Sequence, residues 1–302
     1  MSDRPPAGHQ VRHFVAGEDT TVAKALEQHF QLSKEAIAQL FLFGALYQDK
    51  KRILEDRPLP KGAYLRIHLK SKRFPVETID WKSRIVTDHP EFLLVDKPAG
   101  FPTIPTVDNR IENTLQQMRN ATGLDLKVTQ RIDAPVGGLV VFAKTPRFQE
   151  WFNRALMEHK VEKWYRALVQ KPQTSGRKTH YMEPSERAPK VISNEEKPDW
   201  LKCELTVNAC EKAFDETAGP VSPEDKRYEV LLQLHTGRTH QIRAQLSYLG
   251  SPIVGDRMYG SKLDLPLAPS PVERIALACV RLKFRKGEEF EMELSPYWKR
   301  EK

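Results

Sequence analysis

Leu234-His235-Thr236-Gly237-Arg238-Thr239-His240-Gln241-Ile242-Arg243 is the stretch that decides how the rest of the chain reads. An aliphatic run stops at Thr-Gly, and a helix is predicted from near Thr239 to Gly250, carrying His240 and Arg243 three apart. A helix N-terminus with an arginine beside it attracts phosphate or carboxylate. A histidine at this place can be a base, a metal ligand or a structural residue. No second ligand stands at metal spacing, which favours the structural role. Downstream, Leu249-Gly250-Ser251-Pro252-Ile253-Val254-Gly255-Asp256 leads on to Tyr259-Gly260.

Two other segments combine a Gly-dependent turn with charge beside an apolar strand. Val95-Asp96-Lys97-Pro98-Ala99-Gly100-Phe101-Pro102 ends a strand in a tight turn with Lys97 at its lip. Gln130-Arg131-Ile132-Asp133 precedes Gly137-Gly138-Leu139-Val140-Val141-Phe142-Ala143-Lys144. Arg131 and Asp133 share a face if extended, and by themselves they read as a surface ion pair.

Around these lies an ordinary globular chain of 302 residues, 39% hydrophobic and 29% charged, long enough for a substantial core. Lys and Arg (48) outnumber Asp and Glu (40), giving +8, which favours a polyanionic partner such as nucleic acid or an anionic membrane surface. Cys203, Cys210 and Cys279 form no Cys-x-x-Cys pair, so reduced thiols are expected rather than a zinc knuckle or disulfide framework. Met1 to Gly17 lacks the apolar stretch of a signal peptide, and no run is long enough to span a bilayer. A cytoplasmic protein with no membrane association is the expectation.

Residues 1–18 read as a polar lead. Residues 19–75 read as a small module: a helix over 21–30, a second helix capped by Ser33 and ended by Gly44, then short strands closing on Ala63 to Leu69. There Leu65, Ile67 and Leu69 share one face, and Tyr64, Arg66 and His68 the other. Lys70 to Pro75 reads as a basic linker. Residues 76–302 form a larger domain, with strands predicted at 85–86, 92–95, 139–142, 228–234, 275–284 and 290–294 and helices near 113–118 and 147–159. Lys171 to Lys226, with Pro172, Pro184, Pro189, Pro198, Pro220 and Pro223, reads as long loops around a strand near 201–207. The class is α+β, with a long antiparallel sheet the best arrangement.

Taken together these segments resemble the RluA-type pseudouridine synthases, at matching order and spacing across about residues 84–295. That family's first signature is close to His-Arg-Leu-Asp-Arg-Asp-Thr-Ser-Gly-Leu, and this chain reads Gln130 to Asp133, then Ala134-Pro135-Val136-Gly137-Gly138-Leu139. Its Lys-x-Tyr-x-Ala-Leu-Val corresponds to Lys163-Trp164-Tyr165-Arg166-Ala167-Leu168-Val169. Thr-Gly-Arg-Thr-His-Gln-Ile-Arg is intact from Thr236 to Arg243, as is Gly-x-Pro-Ile-x-Gly-Asp from Gly250 to Asp256. The departures fall just after Asp133 and touch substrate preference and turn geometry more than chemistry.

The resemblance implies a pseudouridine synthase fold, a long mixed and mainly antiparallel sheet flanked by helices. It implies isomerisation of uridine in structured RNA, ribosomal or transfer, by a monomer, with the base flipped out of its stack. Asp133 would be the catalytic carboxylate and Arg243 its ion-pair partner. Tyr165 would stack on the uracil. Arg131, Lys97, Lys163, Arg238 and His240 would contact RNA, joined by Arg66 in the small module. No redox change or group donor is required, so neither cofactor nor metal is expected. The small module resembles the RNA-binding domain named for ribosomal protein S-four, an unrelated helical cap being the alternative. A non-catalytic RNA-binding or ribosome-assembly protein on the same fold is the rival reading; a deaminase or methyltransferase lacks its zinc-ligand set or Gly-rich loop here.

Overall fold

The computed structural model describes residues 11–213, 226–265, 267 and 269–300. The chain folds as two compact units, Met1–Ile79 with Ile104–Ala121, and Asp80–Thr103 with Thr122–Lys302.

In the smaller unit β1 (Val11–Val15), β2 (Thr20–Thr21), α1 (Val22–Phe30), α2 (Lys34–Phe43), β3 (Leu46–Gln48), β4 (Lys51–Ile53), β5 (Pro58–Leu59) and β6 (Tyr64–His68) follow in order. The sheet runs β1-β6-β3-β4, and β2 pairs with β5. Each helix begins where a side chain can satisfy its free amides. The Thr21 hydroxyl accepts from the Lys24 N–H at 3.3 Å, and the Ser33 hydroxyl from that of Ala36 at 3.2 Å. Gly44 ends α2 in the left-handed region, φ +62, with its N–H turned back to the Leu40 and Phe41 carbonyls. Leu26, Ile37, Leu46, Ile53, Leu65 and Ile67 fill the core between helices and sheet.

Three expectations change here. The stretch read as a polar lead contains β1, an edge strand whose exposed Arg12 and His13 give it a loop-like composition. The rest of that lead, residues 1–10, lies outside the described residues. His68, assigned to the outer face of β6, is buried with its ring edge-on to Tyr47 at 5.9 Å. In addition, Lys70 to Pro75 is a clasp for residues 104–121 rather than a free linker. Asp108 accepts the Lys72 N–H at 2.6 Å, and the Asn109 amide donates to the Lys72 carbonyl at 2.9 Å. Glu112 accepts the Phe74 N–H at 2.8 Å and the Arg73 guanidinium at 2.6 Å. Helix α3 (Thr114–Thr122) completes the segment.

In the larger unit the strands are β7 (Ile85–Asp88), β8 (Phe92–Lys97), β9 (Lys127–Val128), β10 (Gly137–Ala143), β11 (Glu162–Val169), β12 (Gly176–Met182), β13 (Ile192–Ser193), β14 (Leu201–Lys212), β15 (Tyr228–Leu234), β16 (Leu277–Lys286) and β17 (Glu288–Glu293). Helices α4 (Pro146–Met157) and α5 (Gln241–Tyr248) accompany them. One sheet takes them all in the order β13-β12-β14-β15-β11-β16-β10-β8-β7, with β17 beside β16 and β9 beside β10. Its pairings are antiparallel except β10 with β16, which sets Gly138 opposite Cys279 in parallel. This is the mixed, mainly antiparallel α+β arrangement that the sequence predicts. At the parallel crossing Gly138 has φ +104, and a Cβ there would lie 2.2 Å from the Cys279 carbonyl oxygen.

β8 and β10 are buried along their whole length, which explains the apolar runs Phe92 to Val95 and Gly137 to Ala143; β8 ends in the buried pair Asp96 and Lys97. α4 starts with Pro146 in its first turn and the Thr145 hydroxyl accepting from the Phe148 N–H at 3.2 Å. Its buried stripe of Phe148, Phe152 and Ala155 joins the core, Phe148 stacking on Phe92 at 5.0 Å. The polar stretch after Lys171 holds more strand than predicted: β12, β13 and a β14 that continues to Lys212. Exposed Arg177, Thr179 and Lys202 mask the alternation there. Residues 214–225, Pro220 and Pro223 among them, lie outside the described residues.

Candidate active site

Asp133 stands in the loop between β9 and β10, and backbone bonds from two directions fix that loop. The Thr103 hydroxyl accepts the Ile132 N–H at 3.2 Å and donates to the Ile132 carbonyl at 2.8 Å. On the other side the Ala134 carbonyl accepts the Gly100 N–H at 2.7 Å, and the Val136 N–H closes a turn onto the Asp133 carbonyl at 3.0 Å. The carboxylate between these ties keeps 26% of its side chain exposed.

Lys97 supplies the third tie, and here an expectation is corrected. Read as an RNA contact at the lip of a turn, it is 1% exposed, its ammonium donating to the carbonyls of Pro98 (3.0 Å), Phe101 (2.6 Å) and Ala134 (3.2 Å). Three acceptors match the three N–H groups of an ammonium, so no proton is left for a phosphate. Burial pushes this ammonium down to about 7, with the charges of Asp133 and Asp96 pulling the other way. Lys97→Met is expected to leave those carbonyls unsatisfied and to cost about 1–3 kcal/mol in denaturant unfolding. Unchanged stability would mean that the loop holds without the ammonium.

Arg243 rises from the first turn of α5 and is 2% exposed. Its guanidinium grips the fully buried Asp256 through Nε at 2.7 Å and Nη2 at 2.9 Å, and reaches Asp133 Oδ2 through Nη1 at 3.5 Å. Burial works against its charge, but the Asp256 hydrogen bonds and the charges of Asp256 and Asp133 together raise it above the ordinary guanidinium value. α5 begins at Gln241, two residues later than predicted, because His240 sits just ahead of it in the left-handed region, φ +57. That backbone turns the His240 ring toward the loop, with Nε2 3.8 Å from Asp133 Oδ2.

Tyr165 and Lys163 lie two apart on one face of β11, and Tyr165 pairs across the sheet with Cys279 of β16. Tyr165 is buried within the core, and its phenol is held well above the usual range, by burial first, then by Cys279 and the charge of Asp133. It is therefore a neutral hydroxyl. Burial also lowers Lys163 and pushes the Cys279 thiol up to about 12. Arg131 and Arg238 are exposed, the Arg238 Nε donating to the Lys202 carbonyl at 3.4 Å. Arg66 belongs to the smaller unit, its guanidinium stacked over Tyr47 at 4.6 Å.

The structure thus gathers Asp133, Arg243, His240 and Tyr165 of the sequence-predicted residues. It adds Asp256, Tyr259 and Thr103. Asp256 and Tyr259 stood inside quoted motifs, whereas Thr103 carries no local signal. Among the described residues no three His, Cys, Asp or Glu side chains gather as a metal would need. A partly exposed carboxylate with an arginine partner, near enough to a neutral phenol for its charge to be felt there, suits attack on or proton removal from a bound substrate.

A family model described as RNA pseudouridylate synthase matches residues 91–248, just over half of the chain. The chain is 30% identical to RNA pseudouridine synthase 6, chloroplastic, of Oryza sativa subsp. japonica, over 86% of itself and 66% of that protein. It is 40% identical to the Arabidopsis thaliana protein of the same name, over 66% of itself and 45% of that protein. It therefore spans only 66% and 45% of these relatives' length. The ribosomal large subunit pseudouridine synthase D of Vibrio vulnificus is 29% identical over 68% of the chain and 65% of its own. Among solved structures, human RNA Pseudouridylate Synthase Domain Containing 1 superposes with a TM-score of 0.55 at 25% identity, covering 74% of this chain and 86% of that one.

Proposed function

Because the chain belongs to the RNA pseudouridylate synthase family, we propose that it isomerises uridine to pseudouridine in structured RNA, ribosomal or transfer, with Asp133 as the catalytic carboxylate. The observation that carries this reading is the convergence of Arg243 and His240 on one oxygen, Oδ2, of a carboxylate whose loop is tied by Thr103, Gly100 and Lys97. A carboxylate fixed through Oδ2 presents Oδ1 to a ligand. The reaction breaks the bond from uracil N1 to ribose C1′ and forms one from C5 to C1′. A proton leaves C5 and one arrives at N1, so atoms and charge balance without a donor or redox partner. Asp133 acts at that junction, as nucleophile toward the ribose or as base toward the base's proton. The nucleotide must leave its stack to arrive there, with Arg131 at the exposed rim meeting phosphate.

The residues that depart from the family's first signature support the same reading. Ala134 and Pro135 act through their carbonyls, which accept from Gly100, Lys97 and the Ile275 N–H. Val136 acts through its N–H. The turn therefore rests on backbone and tolerates the changed side chains. The smaller unit, with Arg66, we read as an RNA-gripping module; the excess of basic residues supports it.

The test is a pseudouridine map of total RNA with and without the protein, repeated with purified protein and the mapped RNA. Sites that appear only with the protein support the reading. Identical maps together with retained RNA binding would favour the non-catalytic assembly protein. Tyr165 separates the roles further. Tyr165→Phe should bind RNA normally while turnover falls, and Tyr165→Ala should lose about 1–3 kcal/mol of RNA affinity with the stacking platform. Equal affinity for both variants, at matched thermal stability, would place the ring away from the base.

A further inference from the structure

Tyr259 makes no hydrogen bond to Asp133 among those described, yet four contacts tie it to α5, to His240 and to Lys190. Its carbonyl accepts the Ser247 hydroxyl of α5 at 2.7 Å, and its ring lies 5.0 Å beneath the Arg243 guanidinium. Its hydroxyl sits between the backbone N–H of Lys190, at 2.9 Å, and Nδ1 of His240, at 3.1 Å. An amide N–H can only donate, so the phenol oxygen accepts from Lys190. The oxygen can accept a second time, but the phenol's single proton has one acceptor among the described hydrogen bonds, His240 Nδ1, and would be left without a partner if Nδ1 donated instead. Nδ1 is thereby an acceptor, and the imidazole proton belongs on Nε2, the nitrogen that faces Asp133 Oδ2 at 3.8 Å.

We infer that Tyr259 is a positioning residue that sets the tautomer of His240, so that the imidazole offers an N–H rather than a lone pair to the catalytic carboxylate. The chain of donors runs from Lys190 through Tyr259 and His240 to Asp133, and it complements Arg243 on the same oxygen. The left-handed backbone of His240 fits this role, since a non-glycine residue held there is costly unless its surroundings require it. With the opposite tautomer the Nε2 lone pair would face the carboxylate and push it off Oδ2-anchored geometry. The claim rests on the synthase reading only for its effect on turnover, because the tautomer itself is a property of the free protein.

The first measurement is the ¹⁵N spectrum of the His240 ring in the full chain. Wild type should show protonated Nε2 with Nδ1 as acceptor, and Tyr259→Phe should move it toward protonated Nδ1. Wild type with protonated Nδ1, or a spectrum indifferent to Tyr259→Phe, overturns the inference whether or not the protein is a synthase. The second is single-turnover pseudouridine formation. Tyr259→Phe keeps the ring under Arg243 and should slow conversion by about ten- to a hundredfold, the scale of a misplaced catalytic group, with RNA affinity unchanged. In a His240→Asn background the same change should have no further effect. An additive effect in the double variant would show that Tyr259 merely docks the backbone at Lys190. Wild type that forms no pseudouridine on any RNA counts against the synthase reading and leaves the spectrum to decide the tautomer.

Discussion

Asp133→Asn is expected to leave fold and RNA affinity in place and to make pseudouridine formation undetectable. The loop does not need the carboxylate to hold its shape, because its ties run through the backbone of Ile132, Asp133 and Ala134. Nor does the buried Arg243 need it as counter-ion, because Asp256 already takes two of its N–H groups. The stability cost should therefore stay near that of a partly exposed ion pair, about 0–1 kcal/mol. What Asn removes is the charge and the oxygen that attacks or accepts a proton. Chromatographic separation of the nucleosides from treated RNA, with mass spectrometry, reads the outcome. An Asn variant that still converts uridine would remove Asp133 from the mechanism.

Gly138→Ala should be the most damaging single methyl in the larger unit. The new Cβ would stand 2.2 Å from the Cys279 carbonyl oxygen and 2.7 Å from its nitrogen, and these are backbone atoms of a neighbouring strand that cannot rotate away. Either β10 and β16 part at their parallel crossing or the chain fails to fold, so a loss beyond about 4 kcal/mol is expected. The control is Gly176→Ala. It has a similar backbone, φ +115, but no atom within 4 Å of the added carbon, so only backbone strain of about 1–3 kcal/mol applies. Denaturant midpoints of the two variants decide it; equal losses would mean that strain, not the crossing, governs Gly138.

What was legible in the sequence was what is decided locally. Ser33 and Gly44 mark the ends of α2 because a cap needs only its own few neighbours. The stripe on α4 and the apolar run of β10 announce burial by period and composition. β1 and β12 were hidden because exposed faces fill them with charge. Lys97 was misjudged because its three carbonyl partners come from residues 98, 101 and 134, and only folding brings the last of them near. Arg243 with Asp133 followed from the family resemblance, while its stronger partner Asp256 and the pin at Thr103 depend on distances that no spacing rule encodes.

Residues 104–121 bear on how such a chain can be cut and joined. The backbone passes between the units at 79/80, 103/104 and 121/122. A module acquired by a single recombination event is contiguous, with one junction to its host. Here the smaller unit draws its Lys72–Asp108 and Arg73–Glu112 clasp from a stretch encoded inside the connection between β8 and β9. Grafting it onto another enzyme requires a donor fragment with two separate inserts, and deleting it cleanly requires shortening the host in its interior. A cut at 79/80 alone would leave Asp108 and Glu112 without the Lys72 and Arg73 groups they hold.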